Sequence, residues 1–344
     1  MNDQQPDTAP LFGFQWHLTD RCNLRCTHCY QDAFDGSREL APAALRRLAD
    51  RVFGALAPRP VSVNLTGGEP LLLPGFFDLV AHLHGFANLA AAHIITNGTV
   101  ADDDTLARIA ASPRIGALKI SLEAADAAAN DAVRGRGNFD RVTANLERFR
   151  RTGKLLVVML TLARYNAGRI AAAVRWARGA GLHGIIFERF VPLGRGRRLA
   201  AEVLTAADWR GAVAAIAAAA GLEAEPEDLL PYRAFWLGLA PGEADPLRGA
   251  LCNLGDESMA LMPDGDVYPC RRLPVPLGNA VAEPFADILP RLARFSMDAL
   301  RPRLSGLRCG YCGVADCAGC RALAYALTGD YLADDPQCPL AEDD

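Results

Sequence analysis

The stretch FGFQWHLTDRCNLRCTHCY, Phe12 to Tyr30, couples a strand pattern to a set of three cysteines. Large apolar residues at Phe12, Phe14 and Trp16 alternate with smaller or polar ones, which is typical of a strand with one buried face. The cysteines follow directly in a CxxxCxxC spacing. Closed protein metal sites commonly take four protein ligands, whereas reactive ones keep a position open. Three cysteines are therefore either a chance grouping or a metal site with one position left for something other than protein.

Five more strand patterns follow this one, and a helical pattern separates each from the next. The first helix is predicted to begin at Pro42, where Leu45 and Leu48 start an apolar repeat at helical spacing. Alternating strands and helices predict parallel strands joined by right-handed crossovers, in an open doubly wound sheet or in a barrel. The strand segments are VSVNLTG (61–67), AAHIITNG (91–98), ALKISLE (117–123), KLLVVMLTL (154–162) and HGIIFERF (183–190).

Alternation within the strands favours the barrel. A flat sheet covered on both faces would show continuous apolar runs, but here polar residues such as Asn64 interrupt every second position. We expect the apolar set to pack on the helices and the polar set to line a ligand cavity, with Gln15 and Lys119 touching the ligand. An antiparallel sheet with one solvated face is the alternative, and the intervening helices argue against it.

Composition and charge limit the function classes. Hydrophobic residues make up 51% of the 344 residues, and the formal net charge is −4 with no basic block, which argues against a nucleic-acid partner. No uncharged apolar run approaches the roughly 18 residues of a membrane helix. The polar N-terminal segment MNDQQPDTAP lacks the features of an export signal. We therefore expect a cytoplasmic chain, in which ten cysteines indicate metal or redox chemistry and not disulfides.

The remaining seven cysteines crowd the C-terminal part. An Ala-rich helical pattern, DWRGAVAAIAAAAGL, precedes them, and MPDGDVYP predicts a hairpin turn between two short strands. The expected organisation is an α/β domain over residues 10–200, a helical connector over 201–246 and a small cysteine-rich domain over 247–344 with a β-hairpin and short helices. Taken alone, such CxxC pairs suit zinc as well as iron–sulfur clusters. These cysteines are Cys252, Cys270, Cys309, Cys312, Cys317, Cys320 and Cys338.

The carboxyl ends of the predicted strands carry the unusual residues, as expected where parallel α/β folds place their sites. TGGEP, Thr66 to Pro70, follows the second strand. Gly67 and Gly68 permit a close backbone approach, and Glu69 offers an acceptor for an ammonium group. TNG (96–98) and SLE (121–123) end the next two strands, so all of these segments are expected at one rim together with the cysteine loop.

CxxxCxxC on the first loop and GGEP after the second strand together resemble the signature of the radical S-adenosylmethionine (SAM) superfamily, over roughly residues 10 to 200. The resemblance implies a partial (β/α)6 barrel. It also implies that Cys22, Cys26 and Cys29, the front cysteines, hold a [4Fe-4S] cluster. The fourth iron is then left for the amino and carboxylate groups of SAM.

Other SAM-binding residues are implied by the same resemblance. Gly67, Gly68 and Glu69 would meet the SAM amino group, and the ends of the third and fourth strands would contribute Asn97 and Ser121. Arg134, or second Arg136, would pair with the SAM carboxylate, for which a planar guanidinium is suited. Glu123 would accept a hydrogen bond from a ribose hydroxyl. Tyr30 and His28 would pack around the cluster and adenine, and His17 is expected to be an interior or cavity-lining histidine and not a ligand.

The C-terminal cysteines resemble the SPASM extension of that superfamily, which binds two auxiliary [4Fe-4S] clusters. The resemblance implies an inner set, Cys252, Cys270 and Cys320, and an outer set, Cys309, Cys312, Cys317 and Cys338. The middle run is CxxCx4CxxC here, whereas the family pattern is CxxCx5Cx3C. The inner set lacks a fourth cysteine. Either an oxygen or nitrogen ligand binds the remaining iron, or that iron is open to substrate.

The function implied is reductive cleavage of SAM to a 5′-deoxyadenosyl radical that abstracts a hydrogen atom from a substrate. Because SPASM members mostly act on peptides, we expect post-translational modification of a ribosomally made peptide or protein side chain. A flavodoxin or ferredoxin would donate electrons, and a separate protein would bind the peptide leader. The alternatives are tailoring of a small molecule such as a modified-tetrapyrrole precursor and, in another class, a zinc-stabilised scaffold, against which the intact CxxxCxxC and GGEP motifs argue.

Overall fold

The fold was analysed in a computed structural model that describes residues 10–223, 232–240, 242, 245–252, 254–255, 257–314, 317–338 and 340. All six predicted strands are present and alternate with helices. Pro42 lies at the start of the first helix, whose buried face includes Leu45 and Leu48. The elements of this half are β1 (Phe12–His17), α1 (Pro42–Leu56), β2 (Val61–Thr66), α2 (Phe76–Leu83), β3 (Leu89–Thr96), α3 (Asp103–Ala111), β4 (Ile115–Ser121), α4 (Ala127–Arg134), α5 (Asn138–Arg150), β5 (Leu155–Leu162), α6 (Ile170–Gly179) and β6 (Gly184–Arg189).

The C-terminal half continues with shorter elements. The predicted hairpin is confirmed, since β9 and β10 pair in antiparallel fashion around the turn at Gly265. The elements are α7 (Ala206–Ala220), β7 (Tyr232–Gly238), β8 (Leu247–Leu251), β9 (Ser258–Leu261), β10 (Asp266–Tyr268), β11 (Gly278–Asn279), α8 (Phe285–Leu292), α9 (Met297–Leu300) and α10 (Arg321–Thr328).

One sheet of eleven strands runs through both halves, in the order β11-β10-β9-β1-β2-β3-β4-β5-β6-β7-β8. Strands β1 to β6 pair in parallel and follow the chain order. A doubly wound sheet would reverse its strand order at a switch point, so the barrel alternative is confirmed. The six strands form an open, partial barrel, because β9 continues the sheet beyond β1 and β7 continues it beyond β6.

The predicted division of the chain needs a correction at residues 201–246. This stretch, expected to be helical, holds α7 and then β7, which pairs antiparallel with β6. The cysteine-rich part contributes β8 to one side of the sheet and β9 to the other. Because these pairings join residues far apart in the sequence, local patterns could not predict them. The cysteine-rich part therefore shares its sheet with the barrel.

The two faces of the barrel strands differ as predicted. Phe12, Phe14 and Trp16 are each at most 1% exposed and lie in the core with the helices. Several of the alternate positions are polar, and Lys119 on β4 donates a hydrogen bond of 2.7 Å to the Asn64 side chain on β2. The strands thus enclose a polar interior.

Among the described residues no single helix is long and apolar enough to cross a membrane. One pair of helices, Gly194–Glu202 and α7, is together long and apolar enough for a membrane span by length and composition alone, but the two helices meet at 93°.

Candidate active site

The end of β2 fixes the cysteine loop through backbone contacts. The amide of Gly68 donates to the carbonyl of Thr19 at 2.7 Å, and that of Glu69 donates to the carbonyl of Arg21 at 2.8 Å. A Cβ atom on Gly67 would lie 2.3 Å from the Thr19 oxygen, and one on Gly68 would lie 2.3 Å from the Arg21 oxygen. Gly67 also has a φ of +144°, which side chains rarely tolerate. The two glycines are therefore needed for the loop to pack here.

A single cavity brings the front cysteines together with most of the predicted SAM-binding residues. Asn97 lies beside Cys22, with its amide nitrogen 3.8 Å from the sulfur. Burial raises the pKa of Cys29 to about 12, so its thiolate needs a compensating cation, which iron would supply. The donor set therefore fits a cluster with one open iron. The predicted residues that line this cavity are Tyr30, Gly67, Gly68, Asn97, Ser121 and Arg134.

Glu69, which the sequence predicts at the SAM amino group, has protein partners for its carboxylate. Its carboxylate is fully buried and accepts hydrogen bonds from the Thr96 hydroxyl at 2.8 Å and the Asn97 amide at 2.7 Å. It is absent from the described residues that line the cavity. Burial raises the pKa of Glu69 to about 7. Its contacts fix the end of β3 and so place Asn97 beside the cysteine loop.

Glu123, which the sequence predicts at a ribose hydroxyl, also has protein partners for both carboxylate oxygens. One of its oxygens accepts from Arg134 at 2.5 and 3.1 Å and lies 3.2 Å from His28, while the other accepts from the Thr161 amide at 3.1 Å. Burial alone would raise the pKa of Glu123, but His28 and Arg134 outweigh it and leave the pKa below its usual value. Glu123 therefore orients Arg134 toward the cavity. The second candidate, Arg136, is exposed.

Gln15 and Lys119 lie on the inner strand face, but they are not among the described residues that line the cavity beside the cysteines. Arg271, contributed by the cysteine-rich part, stands in front of Gln15 and donates to its side-chain oxygen at 2.7 Å. Burial and the charge of Arg271 lower the pKa of Lys119 to about 8, against the opposing effect of Glu188. A second layer of charged side chains, which includes Arg271 on Gln15, therefore lines the cavity beside these two strand residues.

That second layer consists of residues that sequence reasoning missed. Glu188, Arg271 and Arg272 all line the cavity. Glu188 occupies a polar alternate position of β6, where the pattern could have identified it, and the two arginines directly follow Cys270. Arg271 pairs with Glu188, and Arg272 approaches the same carboxylate at 3.8 Å. These contacts join the cysteine-rich part to the barrel interior.

The histidines near the cavity have protein partners. His17 lies 3.3 Å from the Tyr30 hydroxyl, and burial, with the charge of Arg271, lowers its pKa to about 3. A neutral, interior His17 is what the sequence predicts. His28 lines the cavity but contacts Glu123, so neither histidine is placed among the front cysteines as a further ligand.

The four cysteines of the predicted outer set lie together. All four outer cysteines line one cavity of about 490 Å³, together with Arg233, which donates to the Cys317 sulfur at 2.7 Å. Burial, with Cys320 and Cys270 acting in the same direction, raises the pKa of Cys252 to about 12. The outer cavity greatly exceeds the roughly 30 Å³ that one water occupies in the liquid. It therefore fits a cluster better than a single ion.

Two family models match the chain. One, described as the Radical SAM superfamily, matches residues 16–186, and the other, SPASM, described as an iron–sulfur cluster-binding domain, matches residues 252–320. The first match contains the three front cysteines, and the second contains every C-terminal cysteine except Cys338.

Curated relatives match along nearly their whole length. Mycofactocin maturase MftC of Mycobacterium ulcerans is 32% identical, over 94% of this chain and 86% of the relative. A PqqA peptide cyclase of Streptomyces rochei is 31% identical, over 98% and 91%. An AdoMet-dependent heme synthase of Methanosarcina barkeri is 29% identical, over 94% and 95%.

Solved structures share the fold. The structure of anSMEcpe with bound AdoMet and the Kp18Cys peptide matches with a TM-score of 0.72 at 17% identity, covering 96% of this chain and 94% of that one. Streptococcus suis SuiB bound to the precursor peptide SuiA matches with a TM-score of 0.69 at 15% identity, covering 97% and 76%.

Proposed function

This chain belongs to the radical SAM superfamily and carries its SPASM extension, and from that premise we propose that it modifies a side chain of a ribosomally made peptide. A [4Fe-4S] cluster held by the front cysteines would supply the electron for reductive cleavage of SAM, and the 5′-deoxyadenosyl radical so formed would take a hydrogen atom from the substrate. The observation that carries the proposal is the single cavity that holds the front cysteines, Arg134 and the Glu188–Arg271 pair.

The residues of the cavity divide between the two ligands. Arg134, held by Glu123, binds the SAM carboxylate, and Asn97 and Ser121 contact the rest of SAM. The backbone at Gly67 and Gly68 lies at the cavity surface and accepts the SAM amino group. This division leaves Glu188 and the cysteine-rich side of the cavity for the substrate.

A peptide substrate is supported by the names of the relatives, a maturase and a peptide cyclase, and by the precursor peptide bound in SuiB. We further propose that a flavodoxin or ferredoxin supplies the electron and that a separate protein presents the peptide leader. The auxiliary clusters would accept the electron that the substrate radical loses.

The test uses the anaerobically reconstituted full chain with SAM and dithionite. Short peptides encoded beside its gene are added, and peptide mass and 5′-deoxyadenosine are measured together. A mass change that requires SAM and the front cysteines supports the proposal. Because a heme synthase is also a relative, a modified-tetrapyrrole precursor is assayed in parallel. Conversion of that precursor with every peptide unchanged would favour small-molecule tailoring.

A further inference from the structure

The cavity wall formed by Glu188, Arg271 and Arg272 holds more cations than anions. Glu188 pairs with Arg271 and lies 3.8 Å from Arg272. Lys119, behind them, also acts on the same carboxylate. Three basic side chains thus share one acidic partner in a largely buried place, where the side chains of Glu188 and Arg271 are only 14% and 11% exposed. Unbalanced buried charge is costly, so an additional anion would stabilise this wall.

Three neighbouring carboxylates are already paired with cations in the described part of the chain, and the fully buried Glu69 is satisfied by the Thr96 hydroxyl and the Asn97 amide. Asp20 accepts two hydrogen bonds from Arg38, at 2.7 and 2.9 Å. Glu123 is held by Arg134 and His28. Asp335 pairs with Arg189 at 2.8 Å. The balancing anion is therefore expected to come from outside the protein.

The three arginines that line the cavity differ in how many of their guanidinium nitrogens already have protein or SAM partners. Arg134 serves the SAM carboxylate in the proposed function. Arg272 donates a hydrogen bond to the Arg189 carbonyl at 2.6 Å, and its guanidinium lies 3.8 Å from Glu188. Arg271 donates one hydrogen bond to the Gln15 side chain and another to Glu188. Its Nε has no hydrogen-bond partner among the described residues. Arg271 is the cation left for a ligand.

We propose that Arg271 binds a carboxylate of the substrate, either a peptide C-terminus or an acidic side chain. The planar guanidinium matches a carboxylate bidentately, and Met159, Phe190 and Val191 line the same cavity to receive the adjoining carbon skeleton. The inference rests on the proposed function in taking this cavity as the substrate site. It makes Arg271 a specificity-determining residue that selects substrates with a carboxylate near the reacting carbon.

The test is a binding measurement without turnover. The reconstituted full chain, with SAM in excess to fill the site at Arg134 and without reductant, is titrated calorimetrically with N-acetylglycine and with its neutral match N-acetylglycinamide. A charge-assisted hydrogen bond predicts at least about tenfold tighter binding of the carboxylate. Arg271→Gln should abolish this preference, Arg271→Lys should keep part of it, and the exposed control Arg136→Gln should keep all of it.

Equal binding of the two probes by the wild type, or a preference that survives Arg271→Gln, would overturn the proposal. The variant Glu188→Gln controls for a loss of binding caused by misfolding. Removal of the competing carboxylate should tighten N-acetylglycine binding several-fold. Weaker binding of N-acetylglycine by this variant would refute the reasoning. Comparison with N-acetyl-L-glutamic acid α-amide then distinguishes a side-chain carboxylate from a terminal one. Since no turnover is needed, a failed peptide assay leaves this result intact, and equal binding of the probes would leave peptide maturation standing.

Discussion

Replacement of Glu123 by Ala tests whether Arg134 is positioned as described. Glu123 is fully buried and Arg134 is 7% exposed, so the variant leaves a guanidinium with neither its counter-charge nor two hydrogen bonds. Breaking a buried pair in this way costs about 3–5 kcal/mol. At about 2 °C per kcal/mol for a chain of this size, the thermal midpoint should fall by about 6–10 °C.

A surface pair supplies the matched control. Arg148 and Asp103 are also 2.5 Å apart, but Asp103 is 98% exposed. Solvent screens such a pair, so Asp103→Ala should change the free energy of unfolding by at most about 1 kcal/mol. Differential scanning fluorimetry of the two variants, prepared identically, measures the contrast. Equal midpoints in the two variants would refute the description of Glu123 and Arg134 as a buried pair.

A double variant separates stability from SAM binding. Glu123→Leu with Arg134→Met removes both charges and replaces them by apolar groups, which should restore most of the lost stability. SAM binding, measured by anaerobic calorimetry, should stay at least about tenfold weaker than in the wild type because the charge-assisted bond to its carboxylate is gone. Wild-type SAM affinity in this stable double variant would show that Arg134 does not hold the SAM carboxylate.

Three further outcomes are expected. Changing the front cysteines together to Ala should abolish 5′-deoxyadenosine release while leaving about eight of about twelve irons per chain, counted as cubane clusters; unchanged release would contradict the open-iron reasoning. Gly68→Ala, whose Cβ would lie 2.3 Å from a backbone oxygen, should lose the front cluster, whereas Gly54→Ala, with nothing within 4 Å, should keep all iron on colorimetric assay. Burial raises the pKa of Glu69 from 4.5 to about 7, so ionising it costs the folded state stability as pH rises. Relative to wild type, Glu69→Gln should therefore gain about 2–3 kcal/mol in free energy of unfolding between pH 5 and pH 8; a difference independent of pH would show that Glu69 ionises freely.

The barrel and the cysteine sets could be predicted because their signals are local. Period-two alternation such as Phe12, Phe14 and Trp16 fixes which strand face meets the helices, and each cysteine set sits in a short run or beside a recognisable turn. The two glycines of GGEP also act locally, because their lack of a side chain allows the cysteine loop to pack against the end of β2. Each of these features depends on a few consecutive residues and on backbone geometry.

The directions of the acidic side chains could not be predicted in the same way. Glu69 and Glu123 stand where a ligand contact is expected, but each carboxylate accepts from protein donors supplied by other strands. Whether a buried carboxylate faces a cavity depends on the donors that surround it, and those come from distant parts of the chain. Arg271, which contacts Gln15 from 256 positions away, illustrates the same limit.

The cysteine-rich part completes the active site as well as holding auxiliary clusters. Pairing of β9 with β1 and of β7 with β6 attaches it to both edges of the partial barrel. This attachment carries Cys270 and the two arginines after it to the barrel interior, where Arg271 reaches both Gln15 and Glu188. A ligand held at Arg271 is then in one cavity with the front cysteines and one residue along the chain from an inner cysteine. The substrate carboxylate proposed at Arg271 would therefore lie in the cavity that contains the front cysteines.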